Sequence, residues 1–148
     1  ETSGLGNKSG PILLKLPPNV ADPGGIAEKF LHVWKAKING PVVLEQRHVS
    51  WFQPEVDKML KRQNVSRVEA DPARFASAEL PGGWNGLAYF RLHGSPRIYE
   101  SLYSGETVQA HANSGAALHA CGTDAGTVHD NTTLGAATQT ALELVEAC

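Results

Sequence analysis

Three short stretches concentrate the side chains able to do chemistry: Glu45, Arg47 and His48, then Asp71, then Arg91 and His93. Glu45 and Asp71 are carboxylates suited to act as general bases, while His48 and His93 change charge near neutral pH and suit a general acid. Arg47 and Arg91 offer planar forks that clamp a phosphate or carboxylate through paired hydrogen bonds. The expected catalytic set is therefore Glu45, His48, Asp71 and His93, with Arg47, Arg91, Tyr99, Tyr103 and Asn131 binding substrate. Tyr99 and Tyr103 lie in a loop placed to close over a ligand.

A metal-assisted variant draws on His48, Asp71, His93 and Asp130, ligand types for a divalent ion that polarises a phosphate or activates water. No two histidines show the local spacing of a recognised metal motif. Against these readings stands a structural one, in which Arg47 and Arg91 pair with Glu45, Glu69 and Asp71 in a self-satisfied ladder. Asn131 or Thr132 is also expected to cap the helix that follows. His32, His111 and His119 fall on predicted helices and read as surface or satisfied side chains. Trp34 and Trp51 read as packing residues, and Trp84 as the anchor of a loop or the wall of a pocket.

The elements that must position these groups alternate. Apolar runs at 11–16, 41–48, 66–71, 87–93 and 126–130 read as strands. After the turn signal Asp22, Pro23, Gly24, Gly25, the residues Ile26, Phe30, Val33 and Trp34 recur at helical spacing. Ser50 is the expected cap of a second helix faced by Phe52, Val56, Met59 and Leu60, and further helices are expected over 106–121 and 134–147. Strands separated by helices imply right-handed crossovers and a parallel sheet. The two candidates are an open doubly wound sheet and a closed barrel, and no convincing Gly-rich phosphate loop supports the first.

Strand alternation separates the side chains. Val42 and Leu44 share one face and Val43, Glu45 and Arg47 the other; Val68 and Ala70 oppose Arg67, Glu69 and Asp71; Phe90 and Leu92 oppose Tyr89, Arg91 and His93. In a barrel the apolar face meets the helices and the charged face opens at the C-terminal rim. Glu45, Arg47, Asp71, Arg91 and His93 are thus expected to converge at one mouth.

Composition narrows the classes. With 148 residues, 41% of them apolar, and a net charge of −2, the chain suits a single globular domain, 1–148, with a polar lead-in at 1–10. Lys and Arg are scattered, so a nucleic-acid partner is not supported by charge, and a small anionic molecule is the expected one. No run approaches the roughly 20 apolar residues that cross a bilayer, and a cytoplasmic location is the simplest expectation. Cys121 and Cys148 match no zinc or redox spacing and read as idle thiols.

Taken in order, these residues resemble the YecE-like family of TIM barrels, domain of unknown function 72. The resemblance rests on Leu16, Pro17, Pro18; Glu45, Arg47, His48, Ser50, Trp51, Phe52; and Ala70, Asp71, Pro72. It continues through Tyr89, Arg91, Leu92, His93, Gly94; Tyr99, Tyr103, Ser104; and Asp130, Asn131, Thr132 with Gly135, Ala136, Ala137. Gln46 and Val49 stand where the family carries an aromatic residue and a proline. The resemblance implies a partial (β/α)8 barrel of the α/β class, about five parallel strands alternating with about four helices, corresponding to the family's C-terminal half. The start at Glu1, without methionine, fits that expectation.

Two functions follow. The first is an enzyme acting on a phosphorylated or sugar-like small molecule by acid–base or metal-assisted hydrolysis at the barrel mouth. The second is a non-catalytic barrel that binds an anionic ligand or protein partner. With two open edges, the chain is expected to associate with itself or with the rest of a barrel.

Overall fold

The computed structural model describes residues 2–22 and 24–148, with the side chains at 2, 3 and 7 also outside the description, so Glu1 and Pro23 of the expected lead-in and turn lie beyond it. After a 3-10 segment at Thr2–Lys8, the strands are β1 (Ile12–Lys15), β2 (Val42–Glu45), β3 (Val65–Asp71), β4 (Gly82–Gly83), β5 (Leu87–Leu92) and β6 (Asp124–His129). The helices are α1 (Gly25–Lys35), α2 (Pro54–Arg62), α3 (Gly105–Ala120) and α4 (Ala136–Ala147). The five long strands run parallel in the order β1-β2-β3-β5-β6 and curl into a half-barrel. The expected α/β partial barrel, five parallel strands with four helices, is what the chain forms. Among the described residues, no helix is long and apolar enough to cross a membrane.

The outer layer is apolar. Val42 and Leu44 of β2 and Val65 of β3 pack with Ala27 and Leu31 of α1 and with Val56, Met59 and Leu60 of α2. Leu60 is 0% exposed, and truncating such a side chain to alanine costs about 2–5 kcal/mol. On the concave side, Val43, Val68 and Leu87 form a smaller cluster with Leu13, Trp84 and Tyr89. This layer plugs the axis below the charged groups. Trp84 serves both expected roles: its backbone N–H donates to Val65 O at 2.9 Å and its carbonyl accepts from Ser66 Oγ at 3.1 Å, and it also lines a cavity with Leu87, Leu118 and Cys121.

The expected helix faces hold for α2 but not for α1. Ile26, Phe30 and Val33 are 68%, 54% and 58% exposed, and α1 instead buries Ala27 and Leu31. α1 meets the core through Ala27 and Leu31, with Trp34 partly buried against it, and its bulkier stripe faces outward. The cap at Ser50 is also corrected. A short 3-10 turn, Val49–Phe52, intervenes, so α2 starts at Pro54 behind Gln53, while Ser50 Oγ accepts from Asp22 N at 2.7 Å. Proline at the first helical turn loses no hydrogen bond there.

The stretch between β3 and β5, outside the strands and helices expected from the sequence, is not all irregular. It holds β4, which pairs antiparallel with Ser66 and Arg67. Gly83 makes this approach feasible: its φ is +69°, and a Cβ there would sit 2.5 Å from Val65 O. Its N–H donates to Asp57 Oδ1 of α2 at 2.7 Å, tying the turn to the helix layer.

Candidate functional site

β2, β5 and β6 deliver the central charges. Glu45 closes β2 with its side chain on the concave face, level with Lys15 of β1 in the parallel register. Lys15 Nζ lies 3.2 Å from Glu45 Oε1. Arg91 of β5 donates from one terminal nitrogen to Glu45 and from the other to Asp130, just beyond β6. Glu45 and Arg91 are 5% and 9% exposed, so each charge needs the other.

His93 completes the cluster. Its Nδ1 lies 3.1 Å from Asp130 Oδ2, outside hydrogen-bond geometry, and its ring meets Tyr99 edge-on at 5.7 Å between centroids. Burial, reinforced by the Arg91 guanidinium, holds the His93 pKa below the usual imidazole value against the opposing pull of Asp130 and Glu45. A neutral imidazole at neutral pH is a proton acceptor. The loop carrying Tyr99 over this ring depends on Gly94, whose φ is +95° and whose added Cβ would lie 3.0 Å from Ser101 O and 3.1 Å from Asn131 Cβ.

A cavity of about 240 Å³ opens beside the cluster, bordered by Lys15, Glu45, Gln46, Arg47, His93 and Tyr99. Arg74 and the aromatic rings of Phe52 and Phe75 also line it. Arg47 and Arg74 make no ion pair among the described residues. The mouth therefore presents unneutralised guanidinium groups beside one neutral histidine.

Several expected members lie elsewhere. The third strand has the opposite phase: Val68 joins Val43 on the concave side, so Arg67, Glu69 and Asp71 face the helices. The cause is local pairing, since Arg67 reaches Asp57 of α2 at 3.6 Å and lies over the Phe52 ring at 5.1 Å. Asp71 Oδ2 accepts the Tyr103 hydroxyl at 2.6 Å, and that hydroxyl accepts from Gly94 N at 2.9 Å. Burial and this bond to Asp71 push the Tyr103 phenol well above its usual pKa. Tyr103, 6% exposed among Leu92 and Val108, is a structural post rather than a lid.

His48 is engaged locally, its Nδ1 accepting from Ser50 N at 3.2 Å, and it does not border the cavity. Asn131 is 0% exposed and donates to Ser101 O at 3.0 Å; α4 starts behind Gly135 without a side-chain cap from Asn131 or Thr132, although the Asn131 backbone carbonyl accepts from Ala137 N in its first turn at 3.0 Å. The four expected metal ligands are not brought together, because Asp71 and His48 point away from His93 and Asp130. Among the described residues, no group of three or more His, Cys, Asp or Glu side chains is placed to hold a metal ion.

The family model described as "Protein of unknown function DUF72" matches residues 1–148. The chain belongs to the DUF72 family. A DUF72 family protein from Enterococcus faecalis V583 shares its fold with a TM-score of 0.74 at 18% identity, over 93% of this chain and 57% of that one. One from Thermotoga maritima MSB8 gives a TM-score of 0.72 at 20% identity, over 90% of this chain and 55% of that one. This DUF72 chain thus spans less than three fifths of either solved structure. No curated protein matches it.

Lys15, Gln46, Arg74, Phe52 and Phe75 border the cavity of this DUF72 chain without having been singled out for it from the sequence. Lys15 was legible, because it shares a strand face with Leu13 just as Glu45 does with Val43. Gln46 was not, since strict alternation sends it away from Glu45.

Proposed function

We propose that the cavity receives a small anionic, phosphorylated or sugar-like molecule and that His93 acts on it as a general base. The observation that carries this reading is the pairing, in one cavity, of the unpaired guanidinium of Arg47 with the neutral imidazole of His93. Arg47 and Arg74 attract the anion, while the charge of Lys15 is paired with Glu45. Glu45 and Asp130, locked to Arg91, stay as fixed charges that orient the site, and His93 takes a proton from water or a substrate hydroxyl. Tyr99, 48% exposed, folds over the bound molecule.

A phosphoester and sugar-phosphate hydrolysis screen tests this, with the expected result a turnover lost in His93→Gln and Glu45→Gln. A second reading, a non-catalytic anion receptor, is favoured by the Glu45–Arg91–Asp130 bridge, which satisfies its own charges. Phosphate binding without any turnover decides for the receptor.

A further inference from the structure

Each crossover helix of a β/α alternation covers the strands it joins, and the crossover from β3 to β5 has no such helix. The chain spends that stretch on a 3-10 turn at Ala76–Ala78 and on β4, while α3 packs on β6 and α4. A groove of about 550 Å³ is left on the helix side of β3 and β5, bordered by α3 and by Glu79, Leu80 and Pro81.

Glu69 enters this groove through its side chain. Val68 and Ala70, before and after it, border the cavity on the concave side, and Glu69 borders the groove, as strand alternation requires. Its register partner is Phe90, whose ring meets the His111 ring of α3 edge-on at 6.1 Å between centroids. Thr107, His111, Ser114 and Leu118 recur at helical spacing and turn one face of α3 to the groove.

The Glu69 carboxylate finds no answer within the chain. No hydrogen bond or cation among the described residues acts on it, and burial with Asp71 nearby raises its carboxyl to about 7. Its oxygens still reach solvent, as do the ring nitrogens of His111. Burial holds His111 below the usual imidazole value against the pull of Asp71, so its ring is neutral at neutral pH and accepts a hydrogen bond. Among the described residues, no lysine or arginine borders the groove, and Glu69 and Glu79 stand beside the apolar surfaces of Phe90, Leu80, Pro81 and Leu118. An anion is repelled there, and a neutral apolar molecule leaves a desolvated carboxylate uncompensated. An ammonium on an apolar body satisfies both halves, giving donors to the carboxylate and imidazole and burying its hydrocarbon.

We propose that this groove is a second binding site, on the opposite face of the sheet from the anion cavity, and that it takes a small primary amine whose ammonium is received by Glu69 and whose apolar body lies against Phe90 and Leu80. The site stands independently of the anion-binding reading above.

NMR titration with phenethylamine, phenethyl alcohol and phenylacetate tests this on the wild-type chain, Glu69→Gln and Ser114→Phe, above pH 7 where Glu69 is ionised. The amine is expected to bind the wild type about tenfold tighter than the alcohol, from one charge-assisted hydrogen bond. It should shift the His111 ring signals and leave those of His93 fixed, while phenylacetate leaves His111 fixed. Glu69→Gln keeps the shape and should lower amine affinity to that of the alcohol, with alcohol affinity within about twofold of wild type. Equal affinity of the wild type for amine and alcohol overturns the inference, as does a preference that survives Glu69→Gln. So does an absent His111 response to the amine, or one that phenylacetate matches. Ser114→Phe fills the groove from the exposed side of α3 without touching the carboxylate and should abolish the response; amine binding retained at full strength contradicts the site. Amine binding that weakens as protein concentration rises, with Glu69→Gln altering sedimentation, assigns the groove to a second copy of the chain and overturns the amine.

Discussion

Arg91 and Glu45 meet across an intervening strand, since β3 separates β5 from β2 in the sheet. At the level of Arg91, β3 contributes Ala70, its register partner. A small side chain there and the curl of the sheet open the path, because two strand spacings in a flat sheet amount to about 9.5 Å. The same guanidinium then reaches Asp130, so one residue ties three strand ends together.

Removing that tie should be costly. Arg91→Ala leaves two carboxylates, Glu45 at 5% exposure among them, without their shared partner, and a loss of about 3–5 kcal/mol is expected. Urea unfolding at neutral pH measures it. A loss below about 1 kcal/mol is the signature of an exposed pair and contradicts the buried bridge.

His93 should titrate below the ordinary imidazole value, because burial and Arg91 both favour its neutral form. Its folded pKa is depressed, so the folded state binds fewer protons than the unfolded state between that value and 6.5. Stability therefore rises with pH through this window and is lost as pH falls. Asp130→Asn removes an opposing pull and should lower the midpoint further. NMR titration of the His93 ring protons reads both shifts.

Glu69 predicts the opposite slope. Burial between β3 and α3, with Asp71 nearby, raises its carboxyl to about 7 from 4.5. The folded state then holds a proton that the unfolded state has released, so this group's contribution to stability falls as pH rises from 4.5 to about 7. Glu69→Gln should stabilise the protein at pH above that range, by about 1 kcal/mol after discounting for solvent screening. Near pH 4 the variant and wild type should melt together.

The open edges should drive association. β1 and β6 end the sheet, and α1 exposes Ile26, Phe30 and Val33 while α4 exposes Leu142 and Val145. Unpaired edges and apolar stripes of this kind recruit partners. Residues 1–148 expressed alone should sediment as dimers or larger species in a concentration-dependent way. Phe30→Ser with Val33→Ser should shift the distribution toward monomer, and a wild-type chain monomeric across the range contradicts this.

The architecture was legible because the β/α alternation is a one-dimensional signal, and Glu45, Arg91 and His93 were legible because their strands keep strict phase. Asp71 was misread for lack of a phase reference: Arg67, Glu69 and Asp71 look like an axial charged face, but Asp57 of α2 and Tyr103 before α3 satisfy two of those three charges from the helix side. No property of β3 alone encodes those partners. Tyr103 and Asn131 were misplaced for the same reason: the Tyr103 hydroxyl is bonded to Asp71 and the Asn131 amide nitrogen to Ser101, partners far away in sequence. The outward stripe of α1 shows the complementary error, where the larger apolar face is the exposed one.

The central claim is that Arg47 and His93 share an anion-receiving mouth. It is tested most directly by NMR titration of inorganic phosphate into the chain at constant ionic strength, observing the His93 ring and the Arg47 guanidinium together. Both sets of signals should shift with one saturable isotherm, and Arg47→Ala should abolish the His93 response. Signals that stay fixed, or His93 shifts that persist undiminished in Arg47→Ala, contradict the account.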